Sequence, residues 1–293
     1  MEENIKPVGK TKVIAVDGGG SRCRMALVGE GLDLRVELGA ANATSDFDGA
    51  LATCREGLAQ LASQAGMPQE DLRPLPAYFG LAGICDADQA QRFAAALPLD
   101  HARVEEDRAA AVTGALGLDD GAVMHAGTGS FVALRRGNAL HCVGGWGPKL
   151  GDEGSAHWVG REILRAGLAL SDGLWPASTL GQSVLDRFGG ASGAITFASE
   201  ATPGDIAALA PLLLEHSADP QTQDILTRAA SYFADTLTTL GWQGEAICPT
   251  GGLASHLGAF LPTPMQAALR PAKAAPLEGA ILLARRWAEE LCP

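Results

Sequence analysis

The first residues with chemical potential are a carboxylate and the glycine-rich turn that follows it. Asp17 ends an apolar run and precedes Gly18, Gly19, Gly20 and Ser21. Three glycines remove every side chain from the turn, so backbone N–H groups can converge on an anion. Asp17 could hold Mg²⁺ directly or through water. No Gly-Lys-Ser/Thr follows, so this is not a Walker A loop, and a tight hairpin that merely needs glycine is the alternative.

Two further glycine turns lie downstream. Residues 126–130, AGTGS, repeat the layout of the first turn, since an apolar run precedes and follows a glycine turn that carries hydroxyl groups. This repeat, in layout and not in residue identity, indicates two similar halves that face one ligand. Residues 250–255, TGGLAS, lie between a predicted strand and a predicted helix, where bare backbone can accept an adenine or a ribose. Each turn taken alone is equally well explained as a structural connection.

Asp107 is a candidate ligand-site carboxylate. It lies where a predicted strand gives way to a helix, within VEEDRAAA. Strand ends at the mouth of an α/β sheet are where ligands bind. A carboxylate at a helix N-terminus can instead be an N-cap. Glu105 and Glu106 beside it could raise its proton affinity or could be solvated surface charges.

Residues 144–160, GGWGPKLGDEGSAHWVG, combine glycines, two tryptophans and two acids before a predicted helix. Trp146 could offer an aromatic wall to a sugar ring, and Asp152 could accept hydrogen bonds from hydroxyl groups. The alternative for Asp152 is a cap on the following helix. Core packing explains Trp158, and a surface position or an internal hydrogen bond explains His157.

An alternating succession of strands and helices must position these residues, and it predicts an α/β protein. The second half is the more helical, and the apolar spacing within residues 219–241 is that of an amphipathic helix. The predicted strands are residues 12–17, 25–28, 32–38, 77–81, 102–105, 122–125, 131–134, 139–143 and 246–248, and the predicted helices are 46–65, 86–97, 107–116, 153–170, 219–241, one starting near 253, and 277–291.

Composition excludes several classes of protein. The 293 residues are 47% hydrophobic and carry a net charge of −12, so a core can form but a basic face for nucleic acid is not expected. No apolar stretch approaches the ~20 residues of a membrane span, and the N-terminal MEENIKPVGKTK lacks the apolar core of a secretion signal. The six cysteines are scattered without a C-x-x-C pair, which favours reduced thiols in a cytoplasmic protein.

Four segments together resemble a known family: VIAVDGGGSRCRMALVG, HAGTGSFVAL, GGWGPKLGDEGSAHWVGREIL and PTGGLASH. They are similar to segments of the BadF/BadG/BcrA/BcrD-type ATPases of the actin-like sugar kinase superfamily, and most of all to those of N-acetylglucosamine and glucosamine kinases. The resemblance implies two ribonuclease-H-like lobes with a ligand cleft between them. Residues 1–117 with 277–293 would form the N-terminal lobe, and residues 118–276 the C-terminal lobe.

The resemblance also implies roles for single residues. Asp107 would be catalytic, and Asp17 would hold Mg²⁺, with or without an intervening water. The nucleotide would be bound by Gly18, Gly19, Gly20 and Ser21 in a first phosphate loop, by Gly127, Thr128 and Gly129 in a second, and by Gly251, Gly252 and Ser255 in an adenosine loop. The sugar would be bound by Asn42, whose amide can donate and accept, and by Ser130, Gly145, Trp146, Gly147 and Asp152.

The implied activity is ATP-dependent phosphorylation of an amino sugar, N-acetylglucosamine or glucosamine, to its 6-phosphate by a homodimer that uses Mg²⁺. Ser21 replaces the usual threonine, and Arg22 and Cys23 replace the usual Lys-Thr continuation, so the phosphate contacts there are open. The alternatives are a BadF-type ATPase that activates a partner enzyme and a non-catalytic sugar sensor on a kinase scaffold. The zinc cluster motif of repressor-type sugar kinases is absent from the sequence.

Overall fold

Two separate β-sheets carry the glycine turns. The computed structural model describes residues 11–175 and 177–291. Unit 1 extends to Leu118 and resumes at Lys273, whereas unit 2 spans Asp119–Ala272. The expectations about Cys292 and about most of the N-terminal segment lie outside the described residues. Among those that are described, none of the helices combines the length and apolar character needed to cross a membrane.

The strands agree with the sequence prediction to within two residues at each end. They are β1 Val13–Gly18, β2 Cys23–Gly29, β3 Leu32–Leu38, β4 Ala77–Leu81, β5 Ala102–Glu106, β6 Gly121–Ala126, β7 Ser130–Arg136, β8 Ala139–Gly144 and β9 Ile247–Thr250.

The helices include a set of short ones, α5 to α8, that the sequence pattern did not delimit. The full set is α1 Phe47–Ala65, α2 Ala87–Ala96, α3 Asp107–Leu116, α4 Ala156–Ser171, α5 Thr179–Phe188, α6 Ala191–Glu200, α7 Pro203–Ala207, α8 Leu212–Glu215, α9 Pro220–Thr239, α10 Ala254–Leu257, α11 Thr263–Ala268 and α12 Pro276–Leu291, with 3-10 turns at Gln69–Leu72 and Gly258–Phe260. The prediction that a helix starts at 153 was wrong, because α4 begins only after the cap residue Ser155.

The sheet of unit 1 has the strand order β3-β2-β1-β4-β5. β1 pairs antiparallel with β2 and parallel with β4, so it lies in the middle of the sheet. Its side chains alternate between two cores. Ile14 and Val16 join the core beneath α1, whereas Val13 and Ala15 pack in the core that contains residues of α12. Burial on both faces explains why the sequence of β1 is apolar without a polar alternation.

Helices α3 and α12 of unit 1 approach each other closely, because Gly279 of α12 has no side chain where it meets α3. A Cβ atom added at Gly279 of α12 would lie 2.0 Å from the carbonyl oxygen of Ala110 and 2.3 Å from the backbone nitrogen of Gly114. On its other side, α3 packs on β4, where a Cβ at Gly80 would lie 3.1 Å from the Ala110 Cβ. These contacts fix α3, whose first residue is Asp107.

The sheet of unit 2 repeats the arrangement with one strand fewer. Its order is β8-β7-β6-β9, an antiparallel meander to which β9 adds in parallel beside β6. In unit 1 the corresponding parallel strand beside β1 is β4. The repeated layout inferred from the glycine turns is therefore also a repeat of strand topology. The expected α/β fold class is confirmed.

The contact at Gly279 gives a stability prediction. Gly279→Ala should lower the free energy of unfolding by about 1–3 kcal/mol or more, because a methyl group must displace the backbone of α3. For a protein of this size, each kcal/mol corresponds to a fall of roughly 2–4 °C in melting temperature. Calorimetry on Gly279→Ala and on the control Gly39→Ala, where a Cβ meets no atom within 4 Å, would measure the difference. Equal melting temperatures would contradict the packing described.

Candidate functional site

The first glycine turn of unit 1 joins β1 to β2. Gly19 N–H donates to the carbonyl of Arg22 at 2.8 Å, and the carbonyls of Gly18 and Gly19 accept from Ala82 and Ala41. A Cβ at Gly18 would lie 2.5 Å from the Leu81 side chain, so this position has no room for one. The turn is a tight hairpin whose tip, residues 20–22, is exposed. It therefore presents bare backbone to solvent at the end of the central strand.

Asp17, just before this turn, is the candidate metal ligand. Burial raises the pKa of its carboxyl, and Arg24, whose Nη1 lies 3.3 Å from Asp17 Oδ2, opposes that rise. Within the described ranges no group of three or more His, Cys, Asp or Glu side chains is arranged to hold a metal. A single carboxylate oxygen donor fits Mg²⁺, which keeps several waters and is completed by phosphate oxygens in nucleotide sites.

Asp107 is the first residue of α3 and immediately follows β5. The parallel register aligns Gly18 with Leu81 and Leu81 with Glu106, so the strand end that carries Asp107 lies two strands from the first glycine turn. Burial raises the pKa of Asp107 to about 7, and the negative charges of Glu106 and Asp17 add to the rise. The helix cap position belongs to Glu106, which makes no side-chain cap hydrogen bond. Asp107 is thus a half-buried carboxylate poised to exchange a proton near neutral pH.

Glu105 and Glu106 differ in what they do. Glu105 accepts a hydrogen bond from the buried Tyr78 hydroxyl at 3.0 Å and pairs with Arg103. Glu106 pairs with Arg108, and after burial its negative charge is the largest cause that raises the pKa of Asp107. Of the two alternatives left open by the sequence, an influence on Asp107 therefore applies to Glu106.

Asn42 follows β3 in unit 1, and the oxygen of its side-chain amide accepts two backbone hydrogen bonds. Its Oδ1 accepts from the backbone N–H groups of Thr44 at 3.0 Å and Ser45 at 3.1 Å. Its Nδ2 lies 4.0 Å from the place where a Cβ of Gly20 would be, so the NH₂ group faces the first glycine turn. Toward a ligand, Asn42 is therefore a donor, whereas the sequence had suggested that it could also accept.

The second glycine turn, in unit 2, accepts hydrogen bonds from the first residues of α4. Gly127 N–H donates to the carbonyl of Gly129 at 2.9 Å, which closes the turn. The backbone N–H groups of Ala156 and His157 donate to the carbonyls of Gly127 and Thr128 at 2.8 and 3.3 Å. The first N–H groups of a helix lack partners within the helix, and here the turn supplies them.

Asp152 is strained, buried and incompletely partnered. It has a φ of +63°, the one positive φ of a non-glycine residue in the described ranges, and only 5% of its surface is exposed. The N–H groups of Ser130 and Gly147 donate to its carboxylate, while burial raises its pKa. Its Oδ1 has no hydrogen-bond partner. Ser155 and not Asp152 caps α4, since Ser155 Oγ accepts from Trp158 N–H at 3.0 Å.

Four other residues of unit 2 were predicted to bind the sugar, namely Ser130, Gly145, Trp146 and Gly147. Ser130 Oγ donates to the carbonyl of Glu153 at 2.7 Å, so toward a ligand that hydroxyl can only accept. Gly145 and Gly147 have φ values of +76° and +84°, which glycine adopts without cost. Trp146 between them is 71% exposed, so its indole is not part of the core.

The third glycine turn packs directly on the second. A Cβ at Gly251 would lie 2.4 Å from the carbonyl oxygen of Ala126, and Leu253 N–H donates to that oxygen at 3.0 Å. Gly252 and Ser255 are exposed, and Ser255 lies on the single turn of α10. In unit 2 the structure therefore brings the two predicted nucleotide turns together.

A cavity of about 480 Å³ opens beside these two turns. Its far wall comes from residues 204–214, around α7 and α8, which the sequence analysis did not single out. Small residues at 204, 207, 208 and 210 were the available signal. The lining is Gly127, Thr128, Ala156, Gly204, Ala207, Ala208, Ala210, Pro211, Leu214, Gly252, Leu253 and His256. Cavities of about 540 and 590 Å³ elsewhere involve none of the glycine turns.

Residues 14–284 match the model of the BadF/BadG/BcrA/BcrD ATPase family. The chain therefore belongs to this family of ATPases, as its motifs indicated.

Similar proteins include sugar kinases. The glucosamine kinase of Vibrio cholerae is 28% identical over 286 residues, which cover 92% of this chain and 95% of that protein. The crystal structure of a candidate N-acetylglucosamine kinase from Chromobacterium violaceum superposes with a TM-score of 0.82 at 27% identity, covering 95% of this chain and 100% of that one. The glucokinase of Balamuthia mandrillaris, at 14% identity and a TM-score of 0.51, shares the fold over 97% of this chain and 96% of its own.

The raised pKa of Asp107 predicts how stability depends on pH. Because the pKa is about 7 in the folded protein and about 3.8 in the unfolded chain, the folded state binds more protons between these values. Stability should then fall as the pH rises from about 4 to about 7. Asp107→Asn removes this loss, so its melting temperature should exceed that of the unaltered protein by several degrees at pH 8, with the difference shrinking toward pH 4.

Differential scanning calorimetry at several pH values would measure this difference. Asp100→Asn, an exposed carboxylate that pairs with Arg73, is the control and should show no such gain at pH 8. A destabilised Asp107→Asn at pH 8 would contradict the buried, proton-binding environment assigned to Asp107.

Proposed function

We propose that the protein is an ATP-dependent kinase that phosphorylates an amino sugar, glucosamine or N-acetylglucosamine, at its 6-hydroxyl. The observation that carries this proposal is Asp107, a half-buried carboxylate at a strand end two strands from the first glycine turn, with a pKa of about 7. The similarity to the glucosamine kinase over nearly the whole of both chains supports the substrate class. The ATPase family supports ATP as the phosphoryl donor.

In this proposal Asp107 accepts the proton of the attacking sugar hydroxyl. A general base works best when its pKa lies near the working pH, because it is then both deprotonated and basic enough. An ordinary exposed aspartate, with a pKa near 3.9, would be a much weaker base. Loss of water around the carboxyl, together with the charges of Glu106 and Asp17, therefore tunes the pKa of Asp107 for the step.

Unit 2 supports the proposal with a place for the nucleotide. The cavity of about 480 Å³ lies within the range of small-molecule sites and has apolar walls suited to a nucleoside. Thr128 and Gly252 connect it to the second and third glycine turns. In unit 1, the exposed backbone of the first turn would contact phosphate. Mg²⁺, held through Asp17, would neutralise phosphate charge when bound, and Arg24 keeps the Asp17 carboxylate in place.

The sugar would be read by groups of opposite hydrogen-bonding character. Asn42 offers an NH₂ donor, because its oxygen is already used by the backbone. Asp152 offers Oδ1, an acceptor without a partner. Sugar hydroxyls can donate and accept, so they suit a donor such as Asn42 and an acceptor such as Asp152 alike. Trp146, with its exposed indole, would stack on the apolar face of the sugar.

We include in the proposal that the kinase works in the cytoplasm as a homodimer. None of its five described cysteines forms a disulfide, as the reducing cytoplasm favours. Light scattering of the purified protein would measure its mass, and a mass other than twice the 30.1 kDa of one chain would remove the dimer from the proposal.

The reaction is tested by incubating the purified protein with Mg-ATP and a panel of hexoses and amino sugars, and measuring ADP release and sugar phosphate by mass spectrometry. We expect glucosamine or N-acetylglucosamine to give the highest kcat/KM. ADP release that no sugar stimulates would favour the partner-activating ATPase, and sugar binding without ADP release would favour the sensor.

Asp107→Asn should lower kcat by about 10²–10⁴-fold, because a positioned general base is lost. The kcat of the unaltered enzyme should fall about tenfold per pH unit below about pH 7. Glu106→Gln is the matched variant. It should keep most of the turnover while its acid limb moves to lower pH, since a charge that raises the pKa of Asp107 has gone. An acid limb unmoved in Glu106→Gln, or high turnover in Asp107→Asn, would argue against Asp107 as the base.

Asp152→Asn should raise the KM for the sugar by roughly 10–150-fold, the cost of losing a charged acceptor in a desolvated position. The KM for ATP should change far less. The melting temperature should hold, because Ser155 caps α4 without help from Asp152. Asp186→Asn, on the exposed surface of α5, is the control. A lower melting temperature with an unchanged sugar KM would make the role of Asp152 purely structural.

A further inference from the structure

His125, at the end of β6, connects the second glycine turn of unit 2 to the third. The parallel register of β6 and β9 places His125 beside Thr250, the last residue before Gly251. The His125 Nδ1 atom lies 3.0 Å from Thr250 Oγ1, a hydrogen-bond distance. The sequence offered no signal for this pair, because its members are 125 positions apart.

The other edge of the His125 ring lies against the second turn. A Cβ at Gly127 would be 2.8 Å from His125 Nε2, so the imidazole fills the space that a side chain at 127 would need. The ring stacks on Phe131 of β7, with centroids 4.9 Å apart and planes inclined by 17°. One side chain thus contacts residue 127 on one side and residue 250 on the other, and Phe131 holds it in that orientation.

The imidazole is uncharged at neutral pH, since burial lowers the pKa of His125 to about 4. A neutral ring has one accepting and one donating nitrogen, so it can bond Thr250 without bringing a charge next to the turns. Its role at this position is therefore geometric.

We propose that His125 is a positioning residue for the nucleotide, which sets the distance between the turn at 126–130 and the turn at 250–255. The inference rests on the proposed function only in taking a nucleoside di- or triphosphate as the ligand. Such a ligand is one covalently linked molecule and must contact both turns, with its polyphosphate at the turn at 126–130 and its nucleoside at the turn at 250–255. Their spacing then matters for the whole ligand and not for its separate parts.

Other contacts also join the turns, among them two at the carbonyl of Ala126. Leu253 N–H donates to Ala126, and Gly251 packs against it. These backbone contacts keep the turns adjacent when the His125 side chain is altered. Loss of the imidazole should therefore loosen their spacing without unfolding unit 2, which makes the inference testable by substitution.

Three variants separate the contacts. His125→Phe keeps a ring that can stack on Phe131 but has neither nitrogen. Thr250→Val removes Oγ1 and keeps the shape of the side chain. His125→Asn keeps a polar group near the position of Nδ1. His141→Phe, the same substitution at an exposed residue of β8, is the matched control.

Calorimetry in Mg²⁺ would measure the affinity for ADP, and competition against a fluorescent nucleotide would measure that for adenosine and for pyrophosphate. We expect about tenfold weaker ADP binding in His125→Phe and in Thr250→Val, because ADP binding must then also fix the spacing of the turns. Adenosine and pyrophosphate should change less than about twofold, His125→Asn should stay within about threefold of the unaltered protein, and the double variant should be no worse than either single one.

Unchanged ADP affinity in His125→Phe would overturn the inference, as would equal losses for ADP, adenosine and pyrophosphate, which indicate damage to the whole unit. Additive losses in the double variant would also contradict it, because the two side chains would then act separately. Failure of the unaltered protein to bind ADP would instead overturn the proposed function, and this inference with it, so the two failures are distinguishable.

Discussion

The burial of the Asp107 carboxylate is the constraint on which unit 1 depends. Its charged form is disfavoured by loss of water and by the negative charges of Glu106 and Asp17, so keeping it there costs stability. The packing that holds it is correspondingly close, with Gly279 of α12 against the backbone of α3. A methyl group at that contact would move the helix that begins with Asp107. Stability elsewhere in the unit offsets the unfavourable environment of Asp107, a compromise found at functional sites.

In both units, glycine allows the backbone of a turn to lie against a neighbouring group at a distance that leaves no room for a side chain. At Gly18 the obstacle would be Leu81, at Gly127 it would be His125, and at Gly251 the Ala126 carbonyl. The sequence shows glycine-rich turns but does not show what lies against each glycine. The structure shows that the three positions are constrained by three different neighbours, so a substitution at each would have a different physical cause.

The sequence predicted the strands well, because apolar runs bounded by glycine are a local signal, and it predicted the repeated strand–turn–strand layout for the same reason. It was wrong about the start of α4, and it left a helix cap open as the alternative role of Asp152, since a carboxylate before a helix often serves as one. It missed the His125–Thr250 pair and the wall formed by residues 204–214. These depend on register between β6 and β9 and on how short helices pack, which no local pattern encodes. Asn42 shows the same limit, because only the structure reveals that Thr44 and Ser45 already use its oxygen.

Asp107 and Asp152 share a property that explains why both are available for chemistry. Each lies near the start of a helix, where a carboxylate ordinarily takes the cap position. In each case another residue occupies that position: Glu106 for α3, without a side-chain hydrogen bond, and Ser155 for α4, with one. Burial raises the pKa of both carboxyls, and one oxygen of Asp152 has no partner at all. A residue whose oxygens were used for capping would be held by the helix and stabilised as an anion, with its pKa lowered. With the caps elsewhere, both carboxyls have a raised proton affinity, and Asp152 in addition has a strained backbone and an oxygen without a partner.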